Sequence, residues 1–267
     1  MTIICEKNVE FHIDKDGVLY NMRNMVDPIR VNVEIPSQFS NGVRITALGE
    51  EFCEGEYNEI IVSSEIAEVH EEAFRWSNVA SIHWPEACTK IPAGCFKNST
   101  VTKLSGIEKV TQIDNEAFFN TRMQEFTWPT NCEVIPKSCF AGSGTKSIYG
   151  TENVKVIEDL AFYNSWITDI SSIQNVKSIG VQAFQRSRVR NIEWPTGCKE
   201  IPRGCFYMSE LETISNLQNV EAIGEYAFCG AKHLRGLDLS NSMILFIGER
   251  AFSGVDKETN IFPYYAY

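Results

Sequence analysis

Apolar positions recur along this chain with a long, fixed step. Phe52, Phe74, Phe96, Phe118, Phe140, Phe162, Phe184, Phe206, Phe228 and Phe252 are separated by eight gaps of 22 residues and a last gap of 24. Five residues before the nine from Phe74 onward stand Val69, Ile91, Ile113, Ile135, Ile157, Ile179, Ile201, Ile223 and Ile247, and immediately before those nine either Ala or Cys. Eight residues after them come Ile60, Ile82, Leu104, Phe126, Ile148, Ile170, Ile192 and Ile214. A unit this short cannot bury its own apolar side, so the copies stack and each shares its core with the next. No unit holds the continuous run of roughly 10–12 residues that an amphipathic helix needs. Breakers such as Pro85, Pro92, Gly142, Gly150 and Pro195 interrupt every stretch. Each unit is therefore predicted to be a short strand, a tight corner, and a second extended or 3₁₀ segment returning to the Phe.

The spacing within the first strand is more specific. Val79-x-x-Ile82-x-Trp84, Ile167-x-x-Ile170 and Leu234-x-x-Leu237-x-Leu239 follow the LxxLxL pattern of leucine-rich repeats, whose period is about 20–29 residues. Downstream, "VKSIGVQAF", "VEAIGEYAF" and "ILFIGERAF" resemble the V-x-x-I-G-x-x-A-F signature of the BspA-like leucine-rich repeat family, over about residues 43–252. The fold class expected is a β-rich solenoid, a right-handed leucine-rich-repeat-like stack of about ten 22-residue turns with short parallel strands. The resemblance implies adhesion or protein binding, often at microbial or protist cell surfaces. Residues 1–42 break the period and read as an N-terminal cap, with "VEFHIDKDGVLYNM" alternating as a hairpin that turns at Asp16-Gly17. Residues 253–267 read as a C-terminal cap or tail, in which Phe262, Tyr264, Tyr265 and Tyr267 fold over the last turn or form a sticky end.

Three stretches depart from the signature: "WPEACTKIPAGCF" from Trp84, "WPTNCEVIPKSCF" from Trp128 and "WPTGCKEIPRGCF" from Trp194. Paired cysteines near prolines suggest a metal site, a disulfide or a redox pair. The register argues otherwise: Cys88, Cys132 and Cys198 fall where other turns carry Ile66, Val110, Val154, Val176 and Val220, and Cys95, Cys139 and Cys205 fall where they carry alanine. Each thiol thus substitutes for a small buried side chain, a role free cysteine fills well. This favours core filler over an intra-turn disulfide, and no metal ligand set or cofactor is assigned. Along the Trp column large and small residues alternate (Val62, Trp84, Gly106, Trp128, Gly150), except that Gly150 and Ser172 are neighbours. There a shallow groove opens unless Tyr149, Thr151 or Ile173 fills it. Trp76 and Trp166 fall at the corner after the Phe, where packing into the corner is favoured over exposure as binding anchors.

Residues flanking the central apolar position of each first strand point outward and form a ladder. Its candidate binding positions are His83, Lys103, Glu125, Tyr149, Asp169, Arg190, Asn191, Glu193 and Thr213. The function expected is a non-catalytic recognition scaffold that presents this surface to a protein partner, with a glycan as the alternative ligand. Two other readings compete: a carbohydrate-active β-solenoid using paired carboxylates, with Asp169 and Glu193 about 5 Å apart by strand spacing, and a structural module that self-associates weakly end to end.

Composition narrows the list. The net charge of −11 opposes nucleic acid, and no apolar run approaches the roughly 18 residues of a membrane span. The start, "MTIICEKNVEF", lacks the basic and apolar segments of a secretory signal. With nine cysteines, an odd number, this leans toward a cytoplasmic, reducing setting, or toward the cell surface or secretion if a leader was removed.

Overall fold

The computed structural model of the chain describes residues 1–26, 29–170 and 172–256. The C-terminal aromatics Phe262, Tyr264, Tyr265 and Tyr267 lie outside the described residues. Two compact units divide the chain, Met1–Met123 and Gln124–Tyr267. Each is a β-solenoid of 22-residue turns, with no helix among the described residues.

The first unit opens with an antiparallel meander of β1 (Thr2–Glu6), β2 (Val9–Ile13) and β3 (Val18–Asn24). Lys7 and Asn8, at φ 46° and 68°, make the first reversal. At the second, Asp14 accepts the N–H groups of Asp16 and Val18 at 2.8 and 2.9 Å. Gly17 has φ 87° there, and a Cβ on it would meet Thr46 Oγ1 at 2.8 Å. β3 then pairs in parallel with Ala47–Leu48 and Cys53–Glu54. β4 (Val31–Ile35) pairs in parallel with Glu56–Val62, which in turn pairs with Asn78–His83 and that with Lys103–Ser105.

Most regular turns contribute two short strands, and the turn of Asp169 contributes an isolated bridge to Ser147 in place of its first. In the second unit the three-residue strands Glu125–Thr127 and Ser147–Tyr149 pair, as do Asn191–Glu193 and Thr213–Ser215, the latter also with the two-residue Gly236–Leu237. The two-residue strands Val134–Ile135, Val156–Ile157 and Ser178–Ile179 pair in register, so Ile135, Ile157 and Ile179 stack. In Glu125–Thr127 and Asn191–Glu193 the central residue is buried and its two neighbours are exposed, as the two-residue alternation of a strand requires. The returning segment is extended over two residues, such as Val134–Ile135, and then passes into successive i→i+3 turns around the Phe, as Cys139 N–H to Pro136 O and Ala141 N–H to Ser138 O show.

The corner around each Phe is bracketed by left-handed residues. Two positions before it stand Glu72, Glu116, Ser138, Leu160, Gln182, Tyr226 and Arg250, all at φ between 54° and 59°. Two positions after it stand Trp76, Asn98, Asn120, Asn164, Arg186 and Met208, at φ between 52° and 59°. Such a conformation costs a non-glycine residue about 1–2 kcal/mol. Bonds to the next turn offset it: Phe162 N–H donates to Ala183 O at 2.8 Å and Asn164 N–H to Gln185 O at 2.8 Å. Inside the corner the benzyl rings form a file. In the first unit Phe74, Phe96 and Phe118 stack at 5.4 and 5.6 Å between centroids. In the second, Phe140, Phe162, Phe184, Phe206, Phe228 and Phe252 follow at 5.2–5.7 Å with planes within 10° of parallel, the offset geometry aromatic rings prefer.

The glycine of the V-x-x-I-G signature has a steric cause. A Cβ on Gly180 would lie 2.3 Å from the backbone N of Asp159, and one on Gly248 would lie 2.3 Å from that of Glu225. The preceding turn leaves no room for a side chain at these positions.

Candidate functional site

All nine ladder residues are exposed, and they divide between the units. In the first unit Lys103 aligns with Ser81, and His83 with Ser105; the His83 Nδ1 lies 3.1 Å from the Ser105 hydroxyl. In the second unit Glu125, Ser147 and Asp169 form one column, and Tyr149 stands beside Thr127 in the next. Asn191 aligns with Thr213, whose hydroxyl donates to Asn191 Oδ1 at 2.6 Å, and Glu193 aligns with Ser215. Arg190 lies outside the three-residue strand, 3.6 Å from Glu212.

These registers correct the carboxylate pair. Asp169 belongs to the column of Ser147, and Glu193 to that of Ser215, which is two residues further along the strand. The two are therefore diagonal rather than stacked, and the separation of one strand spacing does not apply. A groove of about 380 Å³ lies elsewhere, in the first unit, lined by Glu6, Lys7, Phe11, Asn32, Glu34 and Ile61. It contains no ladder residue, and the sequence carried no sign of it because it forms where the period is broken.

The W-P-x-x-C stretches resolve into packing. All nine cysteines are free, and Cys53, Cys88, Cys95, Cys132, Cys139, Cys198 and Cys205 are buried. Each proline opens a turn closed by a cysteine: Cys132 N–H donates to Pro129 O at 3.0 Å and Cys139 N–H to Pro136 O at 3.1 Å, with the same pattern at Cys88, Cys95, Cys198 and Cys205. The buried indoles of Trp84, Trp128 and Trp194 donate from Nε1 to the carbonyls of Cys88, Cys132 and Cys198 at 2.9, 2.9 and 3.1 Å. Trp and Cys are thus one hydrogen-bonded unit, a link that spacing alone did not reveal. The small residues of the Trp column also have a backbone reason: Gly106, Gly150, Ser172 and Asn216 sit at φ 78°, 77°, 69° and 65°. A proline after the Trp biases that residue toward extended geometry instead. At Gly150 and Ser172, Thr151 and Ile173 are buried and fill the space, while Tyr149 projects outward.

Burial governs the chemistry of these thiols. Loss of hydration pushes Cys132 and Cys198 from the ordinary 9.0 up to about 11, and Cys95 and Cys205 well above 9.0. Folding therefore favours the neutral thiol. That contribution is complete below pH about 9 and is lost as pH rises toward the folded value, because the unfolded chain ionises first. Denaturation midpoints measured across pH are expected to fall above about pH 9, and Cys132→Ala combined with Cys198→Ala is expected to flatten the decline.

The corner tryptophans overturn the expectation that they pack inward. Trp76 is 64% exposed and Trp166 is 44% exposed. Trp76 occupies one of the left-handed positions, at φ 57°, which turns its side chain away from the file of rings. The Arg188 guanidinium lies 4.1 Å from the Trp166 ring centroid.

Comparison with known proteins places this architecture. A family model described as the BspA type leucine-rich repeat region, with 6 copies, matches residues 49–168 and 155–264. No curated protein matches the chain. Among solved structures, a leucine-rich cell surface protein of Faecalibacterium prausnitzii is 16% identical with a TM-score of 0.57, over 96% of this chain and 88% of that one. A leucine-rich repeat protein of Bacteroides ovatus is 20% identical with a TM-score of 0.58, over 94% of this chain and 80% of that one. Family and neighbours are repeat proteins rather than enzymes, and the match over most of the chain agrees with the Phe, Ile and Gly periodicity. The chain belongs to the BspA type leucine-rich repeat family.

Proposed function

We propose that this chain is a non-catalytic protein-binding scaffold that recognises its partner through the exposed strand ladder. The observation that carries the reading is the out-in-out pattern of the three-residue strands. Burial of Phe126, Ile148, Ile192 and Ile214 anchors each strand, and parallel registers hold the flanking side chains in columns. A partner then meets groups already ordered, which lowers the entropic cost of association. Tyr149, 45% exposed beside Thr127, has the size and amphipathic character of interface anchors.

The same reading sets the chain at a cell surface or in a secreted form, as its family and the Faecalibacterium protein's description as a cell surface protein favour. Nine free thiols do not oppose it, since seven are buried, and a thiol packed in a core is inert. A photo-crosslinking residue in place of Tyr149 is expected to capture one discrete protein, while the same residue in place of Lys199, beside the second ladder of strands, captures none. Equal capture from both positions would sink the ladder reading. A turnover activity abolished by Asp169→Asn with Glu193→Gln, the fold being intact, would replace it with the enzyme reading.

A further inference from the structure

The chain carries a net charge of −11, yet one turn of the second unit concentrates arginine. From Gln185 to Arg190 buried and exposed residues alternate strictly, with Gln185, Ser187 and Val189 inside and Arg186, Arg188 and Arg190 outside. The preceding turn places Trp166 beside them, with Arg188 stacked on its ring at 4.1 Å. The following turn places Met208 in contact with Arg186, the guanidinium 3.9 Å from its sulfur. Glu210 and Glu212 face Arg188 and Arg190 at 3.9 and 3.6 Å, with all four side chains roughly half exposed. Ion pairs of that length and exposure hold their partners weakly.

We propose that this corner is a docking surface for an extended, acidic peptide segment of a partner protein. The assignment rests on charge complementarity and spacing, and it goes beyond the ladder to a neighbouring surface of the same scaffold. Alternate residues of an extended chain are about 6.5–7 Å apart. Arg188 and Arg190, which run from the left-handed corner residue Arg186 into the strand Asn191–Glu193, are the alternate pair that matches carboxylates on alternate residues of a peptide laid alongside, with Arg186 flanking them at the corner. Each guanidinium offers a planar fork of donors suited to a carboxylate. The stack on Trp166 orients Arg188 in advance, and the exposed edge of that indole together with Met208 supplies apolar area for an intervening side chain. In the unbound chain Glu210 and Glu212 stand where the peptide carboxylates would sit, as weak internal competitors.

The test uses the whole chain and fluorescence anisotropy with a labelled short peptide that has glutamate at alternate positions and a central tyrosine. A matched peptide with lysine for glutamate and a sulfated oligosaccharide serve as comparisons. The acidic peptide is expected to bind, more weakly as salt is raised, and the lysine peptide not to bind. Arg186→Gln combined with Arg188→Gln is expected to weaken binding about 10-fold, as removal of two exposed charge pairs does. Glu210→Gln combined with Glu212→Gln is expected to strengthen it about 3-fold or more, a gain that no folding defect produces. The proposal is overturned if the acidic peptide does not bind, if the arginine pair can be replaced without effect, or if only the oligosaccharide uses these arginines. Binding that is lost with Tyr149→Ala and not with the arginine substitutions overturns this surface while leaving the ladder reading in place.

Discussion

Phe162→Ala is expected to lower unfolding free energy by about 3–5 kcal/mol, the range of buried aromatic truncations. The ring is fully buried, 5.7 Å from Phe140 and 5.2 Å from Phe184, with planes 7° and 9° from parallel. Neither neighbour moves readily into the void, because the backbone of each is tied to the turn that follows it: Phe140 N–H donates to Ala161 O and Phe184 N–H to Cys205 O, at 2.8 and 3.0 Å. The cost should sit near the top of the range for that reason. Since a turn meets chiefly the turns beside it, lost protection in hydrogen exchange should centre on residues near Phe140, Phe162 and Phe184 and fade with distance. Urea denaturation with hydrogen-exchange mass spectrometry measures both quantities. A uniform loss of protection through the second unit would contradict the stacked-turn account.

The second large effect is Trp128→Ala. Truncation of this buried indole removes about 3–5 kcal/mol of packing, and it also strips the Cys132 carbonyl of the Nε1 donor held at 2.9 Å. Leaving a buried acceptor unpaired costs about 1–3 kcal/mol, although the two losses share one site and will not sum simply. Trp128→Phe separates them, since it keeps most of the bulk and loses only the donor, and a cost of about 1–2 kcal/mol is expected. Trp166→Ala is the control: with 44% of that side chain exposed, its effect should stay within about 0.5 kcal/mol. Thermal or urea denaturation of the three variants decides the matter. Comparable costs at Trp128 and Trp166 would show that the W-P-x-x-C stretch is not the packing unit described.

Much of this architecture was legible before any coordinates, and the reason is repetition. One position in one unit carries little information, but a Phe every 22 residues with Ile five before it leaves few alternatives to a stack. The same register identified the cysteines as core residues, because a buried column accepts Val, Ala or Cys alike, provided the volume fits. It also placed the ladder residues on the exposed side, since parity within a three-residue strand is set by its buried centre.

The failures share a cause as well. Corner geometry is written in backbone torsions, and the left-handed positions carry Gly or Asn in some turns (Gly94, Gly142, Gly204, Asn98, Asn120, Asn164) but Glu72, Leu160, Gln182, Trp76 and Met208 in others, so residue type marked the corners only in part. Trp76 stands at one of these unmarked positions and lies outside; Trp166, also expected inside, lies outside against the Arg188 guanidinium. The Asp169–Glu193 pair was misjudged because stacking joins residues 22 apart, whereas those two differ by 24. Hydroxyls buried three residues after the Phe, such as Ser77 and Ser165, went unremarked as polar residues; each donates to the carbonyl of its own Phe, at 2.7 and 2.8 Å.

The order of residues alone thus settled that the chain stacks, at what period, and which side chains form the spine. Periodic burial is a property of spacing, and spacing is written in the chain. Tertiary structure decided which groups meet across turns: the indole with the cysteine carbonyl, Arg188 with Trp166, and Asp169 with Ser147 rather than Glu193. Those pairings depend on torsions and registers fixed only when neighbouring turns bond to one another.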